Sequence, residues 1–139
     1  MKLRSLAVWL LPIAMIACSG STGTPTVPTL TPPTINQNFT GSLAVQGVST
    51  NNFTVTAAGQ VEITLTSVGP PPVAVGLALG SPSGLTCVLS FGSGAALTTL
   101  PGPSPQITGT ALAGTFCVEV YDVGNLTGTT NYSVTVLHP

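Results

Sequence analysis

Beyond residue 35, apolar and polar residues alternate with a period of two, in short runs separated by Gly, Pro and Asn. Phe53-Thr54-Val55-Thr56 and Val61-Glu62-Ile63-Thr64-Leu65-Thr66 alternate strictly. Val73, Val75, Leu77 and Leu79 alternate with the small residues Ala74, Gly76 and Ala78. Phe116, Val118 and Val120 alternate with Cys117, Glu119 and Tyr121, and Tyr132, Val134 and Val136 with Ser133, Thr135 and Leu137. Successive side chains of a strand point to opposite faces, so each run predicts a strand with one face buried. Shorter strands are expected over 39–45, 86–91 and 106–110. No stretch of this region has the 3.6-residue apolar period of a helix.

The breakers delimit these runs. Ala58-Gly59 is a short turn between two strong strands. Gly69-Pro70-Pro71-Pro72 ends a strand, because Pro has no N–H to give to a ladder. Ser81-Pro82-Ser83-Gly84 reads as a turn, and Leu100-Pro101-Gly102-Pro103-Ser104-Pro105 as an exposed loop. Many short, half-apolar strands at a spacing of roughly ten residues predict an all-β fold, an antiparallel β-sandwich, over 35–139. Its inner faces are expected to carry Phe53, Val55, Val61, Ile63, Leu65, Val75, Leu77, Phe116, Val118, Val120, Tyr132, Val134 and Val136.

The N-terminus has a different pattern. Lys2 and Arg4 precede an apolar run over 6–17 that Pro12 interrupts once. The run is short for a transmembrane helix, which needs about 20 apolar residues. It fits the apolar region of a secretory signal. It ends in Met15-Ile16-Ala17-Cys18, which resembles the bacterial lipoprotein box. That resemblance implies cleavage before Cys18 and a diacylglyceryl group on its sulfur; an ordinary signal peptide with an incidental Cys18 is the alternative. Ser19, rather than Asp, follows the cysteine, which by the same analogy favours the outer membrane of the cell envelope. Residues 19–34 read SGSTGTPTVPTLTPPT, half of them Ser or Thr. Pro fixes φ and lacks a donor, so this segment is expected to be an extended, semi-stiff stalk. The expected organisation is a signal over 1–17, a linker over 18–34 and one β-domain over 35–139.

Composition narrows the chemistry. The 139 residues are 43% hydrophobic and 4% charged, with a net charge of -1 and a mean hydropathy of +0.56. After Arg4 there is no Lys or Arg. A nucleic-acid partner is therefore excluded, since binding phosphate requires cations that displace its counterions. The acids are Glu62, Glu119 and Asp122, and the one imidazole is His138. Asp122, in Tyr-Asp-Val-Gly-Asn, is expected to close a turn on its own backbone. Glu62 and Glu119 alternate with core residues and are expected to face solvent. His138 is expected to be exposed or at a strand end. Calcium takes 6–8 oxygens, so isolated acids make a poor site. No metal, no cofactor and no catalytic residue is assigned, and the chain is read as not an enzyme. Sugar binding needs exposed aromatic platforms, and Tyr121 is the best candidate. The four Asn-x-Ser/Thr sequences at Asn38, Asn52, Asn125 and Asn131 are read as turn and strand-end Asn.

Three cysteines are an odd number for an exported protein. Lipidation of Cys18 leaves Cys87 and Cys117, which an oxidising compartment allows to form a disulfide. Two buried free thiols are the alternative.

Ala113-Gly114-Thr115-Phe116-Cys117-Val118-Glu119-Val120-Tyr121-Asp122, a Gly/Asn loop and Asn131-Tyr132-Ser133-Val134-Thr135-Val136 together resemble the bacterial pre-peptidase C-terminal domain. Phe39-Thr40-Gly41-Ser42-Leu43, Asn52-Phe53-Thr54-Val55 and Gly59-Gln60-Val61-Glu62-Ile63-Thr64-Leu65 resemble that family's opening strands. The resemblance implies a jelly-roll-like sandwich, usually non-catalytic. Some such domains bind collagen, polysaccharide or calcium. Calcium-binding relatives use acids near the domain's start, where this chain has Asn36, Gln37 and Asn38. The expected function is a non-catalytic, membrane-anchored envelope module for structural or protein-interaction roles. A carbohydrate- or matrix-binding module of the same fold is the alternative. The expected partners are the membrane, through the N-terminal lipid, and an envelope protein or polysaccharide. An exposed aromatic groove would favour the carbohydrate reading, and a smooth Thr-rich surface the interaction reading.

Overall fold

A computed structural model describes residues 30–89 and 95–139. The signal, Cys18, most of the linker and Phe91 lie outside the described residues. The described residues form nine strands: β1 Ile35–Leu43, β2 Val48–Val55, β3 Gly59–Val68, β4 Val75–Ser83, β5 Thr86–Val88, β6 Ala96–Thr99, β7 Ile107–Ala111, β8 Gly114–Tyr121 and β9 Thr130–His138. Sheet I has the order β1-β9-β3-β7, and sheet II has β2-β8-β4 with β6 and the short β5 also on β4. Every pairing between named strands is antiparallel. From β1 to β4, and again from β7 to β9, successive strands alternate between the sheets, which is jelly-roll winding.

The strand alternation sets the core. All thirteen residues expected on the inner faces are buried, joined by Leu43, Val68, Leu79, Ile107, Ala111 and Leu126. Their source is the period-two pattern, which gives each sheet one apolar side.

Ala58-Gly59 lies at the short connection between β2 and β3, as read, and the connection crosses from one sheet to the other. Three local features depart from the sequence reading. The Ser81-Pro82-Ser83-Gly84 turn lies further along: β4 runs to Ser83 and the chain turns at Gly84-Leu85, where Gly84 has φ +62°. The short strand expected over 86–91 is described only as Thr86–Val88. Strand β6, Ala96-Leu97-Thr98-Thr99, was not expected; it pairs Leu97 with Leu77. Its four residues carry too little alternation to stand out.

The edge of β3 beyond β7 is covered rather than open. Gln106 accepts the Leu65 N–H at 2.7 Å on its Oε1, and Gly102 N donates to Leu65 O at 2.9 Å. The register slips there, between Leu65 and Ser67. Loop coverage of an edge of this kind limits pairing with other chains.

The last residues of the Pro/Thr segment are bound to the domain. Thr31 bridges Gly59 in parallel, with Thr31 N donating to Ala58 O at 3.0 Å and Gln60 N to Thr31 O at 3.3 Å. Thr34 N then donates to His138 O at 3.1 Å. Gly59 is required by this approach: a Cβ there would lie 2.1 Å from Thr31 O and 2.4 Å from Pro139 Cγ.

Candidate functional site

The ionisable side chains are dispersed. Glu62 stands on the outer face of sheet I, where Gln60 Nε2 donates to its Oε1 at 2.8 Å. Glu119 stands on the outer face of sheet II and is half-buried; burial raises its pKa, and a hydrogen bond with the Thr50 side chain offsets part of that rise. The two sheets pack about 10 Å apart and the carboxylates point away from each other, so they form no acid–base pair. Asp122 closes the loop after β8 as expected. Its Oδ1 accepts the N–H groups of Gly124, Asn125 and Leu126 at 2.9, 2.9 and 3.1 Å. Its Oδ2 accepts Gln46 N–H at 2.8 Å. The Gln46 bond is the main cause holding its carboxyl below the ordinary range.

His138 is at a strand end, but it is buried rather than exposed. It occupies the inward parity of Tyr132, Val134 and Val136, and its ring centroid is 5.4 Å from that of Phe53. Its Nδ1 lies 3.0 Å from Pro139 O. His138 Nε2 and Gln37 Oε1 are buried without a protein hydrogen-bond partner. These residues are diagonal neighbours on the β1–β9 ladder, where Ile35 pairs with His138 and Gln37 with Val136. Among the described residues, no group of three or more His, Cys, Asp or Glu could hold a metal ion.

Cys87 and Cys117 form a disulfide with Cα atoms 5.8 Å apart, tying the β4–β5 hairpin to β8. Tyr121 is not a free platform. It is half-buried over Gly76 in the adjacent strand, where a Cβ would come 2.2 Å from the ring. Asn125 and Asn131 are loop and strand-end residues, as read. Asn38 and Asn52 are instead mid-strand and exposed, each on the outer face of its sheet.

The outer face of sheet I is a polar surface. Asn38, Thr135 and the buried Thr64 form one cross-strand row, and Thr40, Ser133 and Ser67 the next. Gln60 with Thr110 and Glu62 with Thr108 extend it onto β7. Strands lie about 4.8 Å apart, so the face is a regular array of hydroxyl and amide groups. Ser133 Oγ donates to Asn38 Oδ1 at 2.9 Å, and Thr66 Oγ1 to Ser133 O at 3.1 Å. Among the described strand residues of this face, Glu62 is the one charge, Leu137 the one large apolar side chain and none is aromatic; Leu30 borders it beside Gln60 and Thr110. The signal for this face was in the sequence, as hydroxyls two apart at Thr64 and Thr66, Thr108 and Thr110, and Ser133 and Thr135. Assembling it required the strand order.

No protein-family model matches the chain, and a search of curated proteins returns no match.

Proposed function

We propose that this protein is a non-catalytic β-sandwich module, tethered to the bacterial cell envelope by a lipid on Cys18, that acts by presenting a surface to another envelope component. The observation that carries the reading is the outer face of sheet I, whose described residues form an almost uncharged Thr/Ser/Asn array without an aromatic platform. That surface favours a protein partner over a polysaccharide. The dispersal of Glu62, Glu119, Asp122 and His138 supports a non-catalytic role, since hydrolysis needs a base, an orienting partner and an electrophilic stabiliser within a few ångströms. Jelly-roll strand order is what the likeness to pre-peptidase C-terminal domains implied, and it supports the same reading.

Two measurements test the proposal. Mass spectrometry of the membrane fraction should find Cys18 acylated at the mature N-terminus; a soluble protein with an unmodified Cys18 would refute the tether. Thr135→Glu and Thr40→Glu, on the sheet I face, should abolish cross-linking to the envelope partner, while Thr54→Glu on sheet II should not. A turnover activity lost in the combined Glu62→Gln, Glu119→Gln, Asp122→Asn, His138→Gln variant, with the fold intact, would overturn the non-catalytic reading.

A further inference from the structure

Two loops at one end of the sandwich hold leucines that the core does not use. Leu85, at the turn of the β4–β5 hairpin, is 99% exposed, and Leu112, between β7 and β8, is 77% exposed. Neither is on a loose tail. The Leu85 turn is braced by a Thr86 Oγ1–Ser83 O hydrogen bond of 2.8 Å and by the Cys87–Cys117 disulfide just behind it. Leu112 lies between Ala111, paired with Gly59, and Gly114, paired with Val55.

Strand directions bring both loops to the end where the N-terminal segment joins. Gly80 pairs with Cys117 and Gly76 with Tyr121, so β4 runs toward the start of β8 and its hairpin extends past that end. Ala111 and Thr31 both pair with Gly59, which puts Leu112 and the half-exposed Leu30 at the same end. Twenty-nine residues precede Leu30 in the chain. The loops here, residues 56–58, 83–86 and 111–113, contain no ionisable side chain, and the imidazole at this end, His138, is buried beside Phe53. The opposite end also exposes apolar residues, Val45, Val48, Leu100 and Val123, but none is more than 61% exposed and the Asp122 carboxylate lies beside Val123.

We infer that the end carrying Leu85 and Leu112 rests on the lipid bilayer, with both leucines inserted among the acyl chains. The inference builds on the proposed N-terminal membrane tether. The occupant follows from the chemistry: exposed aliphatic tips are stabilised by burial in hydrocarbon, and loops without ionisable side chains carry no desolvation cost for ionic groups on approach. With no Lys or Arg after Arg4, anionic headgroups are not the attraction, so binding at this end is insensitive to salt and to lipid charge. The tether joins the domain at this end and not at the Asp122 end, and with the leucines inserted the outer face of sheet I stands upright and accessible.

The test uses the acylated protein beginning at Cys18, purified from membranes and reconstituted into phosphatidylcholine vesicles; cleavage removes Trp9, so one introduced tryptophan reports. Leu85→Trp and Leu112→Trp should show blue-shifted emission, quenching by brominated acyl chains and protection from aqueous iodide. Leu100→Trp, at the other end, should show none of these. If the protein floats with the vesicles but Leu85→Trp and Leu112→Trp are as open to iodide as Leu100→Trp, the inserted end is wrong and the tether stands. If the protein does not float, both the insertion and the tether fail.

Discussion

Gln46 and Asp122, 76 residues apart in sequence, are joined by a 2.8 Å hydrogen bond from the Gln46 N–H to Asp122 Oδ2. Gln46 sits in the β1–β2 turn at φ 55°, a conformation that costs a non-glycine residue about 1–2 kcal/mol. The same carboxylate accepts three N–H groups of its own loop through Oδ1. One side chain therefore organises two connections at the end of the sandwich away from Leu85, and its charge strengthens each bond.

Asp122 and Glu119 should give opposite pH dependences. The Asp122 carboxyl titrates below its ordinary value near 3.8 in the folded protein, so its stabilising contribution is present above that value and lost as pH falls through the folded pKa. Burial raises the Glu119 pKa above 4.5, so its contribution is present below that value and lost as pH rises through the folded pKa. Asp122→Asn should lower stability at pH 7 and flatten the acid limb. Glu119→Gln should raise stability at pH 7 and leave it unchanged at low pH. Urea midpoints across pH 2–7 check both signs.

Tyr132 bridges the sheets. Its hydroxyl is 2.6 Å from Ser49 Oγ and accepts from Asn51 Nδ2 at 2.9 Å, while its ring lies in the core. Tyr132→Phe leaves two part-buried polar groups short of a partner and should cost about 1–3 kcal/mol by equilibrium unfolding. Tyr132→Phe combined with Ser49→Ala should cost less than the sum of the two single changes, because both remove the same bond.

The disulfide closes a loop across 30 positions. Cys87→Ala should lower stability by roughly 2–5 kcal/mol. It should also open the β4–β5 hairpin to proteolysis at Leu85 before the rest of the domain unfolds. Equal stability of oxidised and reduced wild type would contradict this.

Gly59→Ala would force its Cβ against Thr31 O and Pro139, and overpacking of this kind costs about 1–3 kcal/mol. The amides of Thr31 and Gln60 should lose hydrogen-exchange protection first, since their bonds hold residues 30–34 on the domain. Amides in the middle of β9 should stay protected.

The strands and the inward set of residues were legible in the sequence, because alternation is a local property: Val61, Ile63 and Leu65 face one way whatever lies beside them. The turn at Asp122 was legible for the same reason, since its partners Gly124, Asn125 and Leu126 are within four residues. The tertiary structure alone decided which strands are neighbours. Strand order depends on contacts between residues far apart in the chain, such as Thr40 with Ser133 and Leu77 with Val120, and no local pattern encodes them. That order put Glu62 and Glu119 on opposite outer faces and laid Tyr121 over Gly76. It turned His138, which read locally as exposed or at a strand end, into the core beside Phe53 at the end of β9. It also aligned Thr residues from separate strands into one face, and gathered Leu85, Leu112 and the entering N-terminal segment at one end. Each is a consequence of pairing across the sheets, where the free energy comes from apolar area buried between distant segments rather than from any one segment's own preference.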